Sequence, residues 1–303
     1  MRSKPGALAA AVAAQALAVL AVAGAAVAQQ APVQQAPAEP PTQPFLHGWR
    51  ATLGYGNTAG GLDDNPGSRI GFGRSEQAMA GLEAGIGSRG FGRIEAGYGW
   101  RGSKRAYTAD DLAGESDSRI LGVSGGVFVT PFLAAGLAVQ YRRHAGTDAF
   151  TNRAGGTVSS QEIDGSSWRT APFLLLAAPA GPVTLSLLGA YARTRGHSDY
   201  ESSLLPGTTT REKTRTSLRM AEFSVSHRPL PQLRLGAGLT WTQVLHQRTA
   251  GSELELDDDW GRLSLDAGWE TGSGLELRAG ISHEIENARG NSFGWTLGMA
   301  YRF

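Results

Sequence analysis

Cysteine is absent from this chain, so no disulfide staples the fold and no thioether-linked lipid anchors an exported form. Also missing is any excess of one charge. A formal net charge of +1, with the basic residues scattered, gives no reason to expect a nucleic acid partner. Beyond the first 28 residues no uncharged run approaches the length of a transmembrane helix. Mean hydropathy is only -0.21, yet that value does not exclude a membrane protein. A β-barrel hides its apolar residues by alternation, and an average cannot see them.

What is present is alternation. Trp295, Leu297, Met299, Tyr301 and Phe303 occupy the odd positions of the last segment, against Thr296, Gly298, Ala300 and Arg302 at the even ones. One face suits hydrocarbon and the other a polar space. Residues 46–303 divide into about twelve such segments, each near the ~9–11 residues needed to cross a bilayer on a tilt. They are joined alternately by short links and by longer polar stretches near Asp63, Asp110, Thr151, Ser202 and Glu253. The expected fold is an all-β antiparallel transmembrane barrel, with short periplasmic turns, long extracellular loops and both ends of the barrel domain in the periplasm. Trp49, Tyr98, Trp100, Tyr141, Trp168, Trp241, Trp269 and Trp295 fall on the outward face, where interfacial aromatic girdles belong. Two segments fit badly. Pro172 interrupts the sixth, where a bulge or broken pairing is expected. In the eighth, strict alternation aims Arg219 at lipid, and a bulge at Ala221 and Glu222 would turn it inward.

The N-terminal residues read as a secretory signal peptide over 1–28. Arg2 and Lys4 precede an Ala/Val/Leu stretch, and Ala26, Val27 and Ala28 offer a small-residue cleavage site. Residues 29–45 carry five prolines and no periodic apolar face, so a disordered periplasmic arm is expected there.

Over 46–303 the sequence resembles the outer-membrane β-barrel proteins of Gram-negative bacteria, and the ending Tyr301, Arg302, Phe303 carries the most specific part of that resemblance. Length and strand count are similar to the translocator domain of autotransporters. The resemblance implies residence in the bacterial outer membrane, contact with its lipid and lipopolysaccharide, and recognition of Tyr301 and Phe303 by the barrel-assembly machinery.

On this register the lumen carries Arg50, Arg93, Arg142, Arg169, Arg234, Arg262, Arg278 and Arg302 against Glu83, Glu95, Glu222, Asp266, Glu276 and Glu284. A hydrated pore with a slight basic excess favours anionic solutes. The alternative is that cross-strand pairs merely hold the lumen together. Enzyme constellations are lacking. The six histidines show no serine two residues away on one strand face, and neighbours such as Ser282 and His283 point to opposite sides. Acidic runs at Asp63, Asp110 and Asp257 lack an EF-hand spacing, and no cofactor fingerprint is present, so neither metal nor cofactor is expected. Three functions remain, in this order: a passive channel for small solutes, a structural or adhesive surface protein, and a membrane-embedded hydrolase.

Overall fold

The computed structural model describes residues 48–62, 69–106, 110–152, 156–180, 183–249, 252–254, 258–286 and 292–303. The expected signal peptide and the arm at 29–45 lie outside the described residues. The strands are β1 (Trp49–Leu62), β2 (Arg69–Ile86), β3 (Gly90–Ala106), β4 (Asp110–Phe128), β5 (Leu133–Asn152), β6 (Thr157–Ala180), β7 (Val183–Ser202), β8 (Thr209–His227), β9 (Leu233–Thr249), β10 (Ser252–Leu254), β11 (Asp258–Glu270), β12 (Leu275–Glu286) and β13 (Ser292–Arg302). All neighbours pair antiparallel, and β1 pairs with β13, so twelve strands close into a barrel. The short β10 folds back on the end of β9 and adds nothing to the ring. No described helix is long and apolar enough to cross a membrane; the crossing is made by strands.

Alternation decides which side each residue faces. In β4, Leu121, Val123 and Val127 are more than half exposed while the adjacent Ile120 is 8% exposed. An exposed leucine beside a buried isoleucine fits a wall whose outer side meets lipid and whose inner side meets other side chains. The same parity runs through Leu263 and Leu265 in β11 and Leu297 and Met299 in β13. Aromatic pairs mark the outer edge of the band, with Tyr55 5.5 Å from Trp295 and Tyr141 4.9 Å from Trp168. Trp49 and Trp269 stand at the opposite ends of their strands.

At the periplasmic end the turns are tight. Thr130 accepts from the amides of Phe132 and Leu133 at 3.3 and 3.0 Å, holding the β4–β5 link. Gly274 closes the β11–β12 link at φ +83°, where a side chain would be strained. At the other end the strands overrun expectation. β4 starts at Asp110 and β6 at Thr157, so stretches expected as loops are paired strand instead. Above the lipid neither face must be apolar, so the period-2 signal fades while the hydrogen-bond ladder continues.

The two awkward segments resolve differently. Pairing of β6 with β7 runs to Thr170 and Arg193, lapses at Ala171 and Pro172, and resumes at Phe173 and Ala190 in unchanged register. A missing amide costs two rungs there without bending the register. In β8 the expected bulge at Ala221 and Glu222 is absent. The irregularity lies between Ser217 and Leu218, opposite the extra residue Leu245 of β9, and leaves Arg219 on the outer face. A bulge at Ala221 and Glu222 would have faced Leu218 and Met220 outward; both share the inner parity instead. Arg219 donates from Nε to Gln243 Oε1 at 2.6 Å, one rung from Trp241. At that level its guanidinium reaches the interface and no inward turn is required.

Candidate functional site

The lumen is the one feature shared by every strand of the ring, and its two walls differ. On one, a chain of ion pairs crosses from β3 to β9. Arg93 bridges Glu95 at 3.0 Å and Glu83 at 3.2 Å, and Arg50 continues from Glu83 at 3.8 Å to Glu276. Glu276 also holds Arg278 at 2.8 Å and Arg234 at 3.9 Å, and Arg234 reaches Asp266 at 3.3 Å. With three arginines around it, Glu276 is the hub, and its side chain is 15% exposed. Lower in the barrel Arg302 pairs with Glu270 at 3.8 Å, and higher up Glu284 binds Arg262 and accepts from the Ser292 hydroxyl.

Glycines opposite these carboxylates make the flat packing feasible. A Cβ on Gly268 would stand 2.8 Å from Glu276 Oε1, and one on Gly122 2.8 Å from Glu95. Both contacts are closer than side chains tolerate, so the acids lie across bare backbone.

The facing wall, from β3 to β8, is built otherwise. Near the periplasmic mouth Phe91, Phe128, Phe173 and Leu175 form an apolar cluster inside the lumen, with Phe91 5.6 Å from Phe128 and 6.3 Å from Phe173. Farther out, Arg142 on β5 donates to Ser118 at 3.0 Å, and the charged group acting on it is another cation, Arg101. Arg169 sits on β6 opposite Gln140. Among the described residues no carboxylate lies within ion-pair distance of Arg142 or Arg169. Arg169, Gln140, Ser124, Ala138, Ala190 and Met220 line a cavity of about 310 Å³, with Glu95 at its rim already held by Arg93. Glu222 shares the inner parity, on β8 opposite Thr240.

The two-wall division was not legible in the sequence, because an ion pair depends on which residue stands opposite. A second missed contact is His144 Nε2, 3.1 Å from Ser198 Oγ across two strand boundaries. It crosses Gly165, where a Cβ would stand 2.6 Å from the ring. Among the described residues no third group completes this pair. The carboxylate acting on His144 is Asp164, which has outward parity and is held by Arg143 at 3.0 Å. Among the described residues no group of acids, histidines or cysteines could hold a metal. At the C-terminal strand, Tyr301 and Phe303 meet edge to face at 5.0 Å, and the Phe303 amide donates to the Trp49 carbonyl at 3.0 Å.

No family model and no curated protein matches the sequence. Solved structures do match the fold. The translocator domain of the autotransporter NalP from Neisseria meningitidis superposes with a TM-score of 0.70 at 16% identity, covering 86% of this chain and 91% of that one. The β domain of the Bordetella autotransporter BrkA gives 0.61 at 14% identity, over 84% and 99%. An outer membrane channel from Pseudomonas putida F1 gives 0.54 at 12% identity, over 88% and 100%. The fold is that of a bacterial outer-membrane β-barrel. The outward apolar band and its aromatic edges are what such a membrane requires. By their descriptions these three matches are two autotransporter barrels and a channel. Identities this low carry the fold alone.

Proposed function

We propose that the protein is an outer-membrane channel for small anionic solutes. The observation that carries this reading is the pair Arg142 and Arg169, two inward cations with no carboxylate partner among the described residues, the second of them lining a cavity, facing a wall whose charges are already neutralised. A passing anion meets an unpaired guanidinium on one side and a self-satisfied network on the other. That arrangement raises local anion concentration without offering a tight site, which is what conduction requires. Arg50, Arg234 and Arg278 belong to the paired wall, so they serve the barrel's integrity more than its selectivity.

The test is a reversal-potential measurement on refolded protein in planar bilayers under a salt gradient. Wild type should favour chloride over potassium, and the double variant Arg142→Gln, Arg169→Gln should lose most of that preference while conducting as well. A wild type that does not conduct would overturn the reading. A second reading, a surface protein acting through its outer wall, draws support from strands such as β6, at 24 residues, which rise well beyond a bilayer. Non-conduction combined with normal assembly would favour it.

A further inference from the structure

The outer face of β7, β8 and β9 carries cations where lipid-facing residues end. On β7 the outward positions after Tyr191 are Arg193, Arg195 and His197. On β8 they are Lys213, Arg215 and, nearer the membrane, Arg219. The register sets them side by side. Arg195 lies directly opposite Arg215, Arg215 opposite Arg248, and His197 opposite Lys213. Three arginines therefore form one row across three strands, spaced by the ~4.8 Å between neighbours. Like charges directly opposite one another in a sheet are unfavourable.

At one end of the row Glu253 of β10 is registered opposite Arg248. Among the described residues no carboxylate lies within ion-pair distance of Arg193, Arg195, Lys213 or Arg215. The nearest outward carboxylate along β7, Asp199, is already engaged by Arg211 at 2.7 Å. Arg193, Arg195, Lys213 and Arg215 are exposed or partly so. Four residues beyond Arg195 the outer wall turns acidic, with Asp164 opposite Asp199 and Glu162 opposite Glu201.

Height identifies what could neutralise it. Arg195 stands twelve residues along β7 from Val183. At a rise of ~3.3 Å and a tilt near 40°, that is about 30 Å, just past an apolar band ~25 Å tall. Trp168, directly opposite Arg195 on β6, and Trp241 on β9 mark the band's edge. Side chains at this level face the headgroup layer of the outer leaflet.

We propose that Arg193, Arg195, Lys213 and Arg215 form a binding surface for the phosphate groups of the outer leaflet's lipid headgroups. Guanidinium forks match phosphate oxygens bidentately, and two phosphates on one headgroup could span neighbouring members of the row. This rests on the barrel standing in an outer membrane and is independent of whether the lumen conducts.

Two probes test it on the full chain refolded in detergent: bisphosphorylated lipid A and the same lipid with its phosphates removed. Bisphosphorylated lipid A should stay bound in native mass spectra and raise the melting temperature, and dephosphorylated lipid should do neither. The triple variant Arg195→Gln, Lys213→Gln, Arg215→Gln should bind about tenfold more weakly or worse, losing several charge-assisted contacts. Without lipid the same variant should melt at or above the wild-type temperature, since a repulsive row has gone; that readout separates lost binding from lost folding. Equal binding of both lipids would overturn the proposal in favour of acyl-chain contacts. Equal protection by free inorganic phosphate or by a soluble anionic polysaccharide would overturn it in favour of nonspecific anion attraction.

Discussion

Two side chains concentrate the barrel's internal electrostatics. Glu276 neutralises Arg50, Arg278 and Arg234 at once. Glu276→Gln leaves three cations facing one another in a narrow space. A fully buried pair broken on one side costs roughly 3–5 kcal/mol, and a hydrated lumen should reduce this to about 2 kcal/mol. A lowered urea midpoint in detergent, without loss of assembly, is the expected result. His144 provides a different reporter. It lies on β5 beyond Tyr141, above the apolar band, where burial and the nearby Arg142 guanidinium hold its imidazole below the ordinary histidine range. The unfolded chain takes up the proton near pH 6.5 and the folded one resists it. The stability contributed by the neutral ring is therefore present above about pH 6.5 and lost as pH falls from there toward the folded value. Wild type should melt earlier at pH 5.5 than at 7.5, and His144→Gln should shrink that difference.

At the scale of strands, Pro172 offers the cleanest experiment. It keeps its register with β5 opposite Leu137 and loses rungs toward β7. Pro172→Val restores an amide at a lipid-facing β position and should stabilise the barrel by about 1 kcal/mol, the net worth of one added hydrogen bond. An unchanged or lowered melting temperature would show that the lapse has another cause. The strand count and the alternation of inward and outward faces were legible in the sequence, because lipid on one side and side chains on the other write a period of two into each crossing. Strand height was not: Asp110 to Asp117 and Thr157 to Glu162 carry polar residues on both faces with only Leu112, Ala113 and Val158 among them, so no period of two separates a paired rim from a loop. The bulge at Leu245 was equally hidden. It displaces the pairing of β8 with β9 while Arg219, the residue whose placement looked wrong, keeps its parity. Parity alone nominated lumen-facing charges, but the concentration of pairs on one wall follows from register and from glycines such as Gly268 that let an acid lie across the backbone.

For the molecule as a whole, the closure between β1 and β13 leaves no free edge, which lets a chain without disulfides persist outside the cell. Circular dichroism of detergent-refolded protein should show sheet without helix, and unheated samples should migrate apart from boiled ones in gel electrophoresis. A largely helical spectrum would contradict the architecture.

The ring is also uneven. β6 has 24 residues, while β12 on the far side has 12. With the periplasmic ends level, twelve additional residues raise that wall by about 30 Å. Such a mouth resembles an obliquely cut tube. Solutes would reach it more readily by travelling along the membrane surface from the β11 to β13 side than from behind the tall screen of β5 to β8. On the channel reading proposed above, the tall side is a fence for anything larger than the bore, and direction of approach joins size and charge as a criterion for admission.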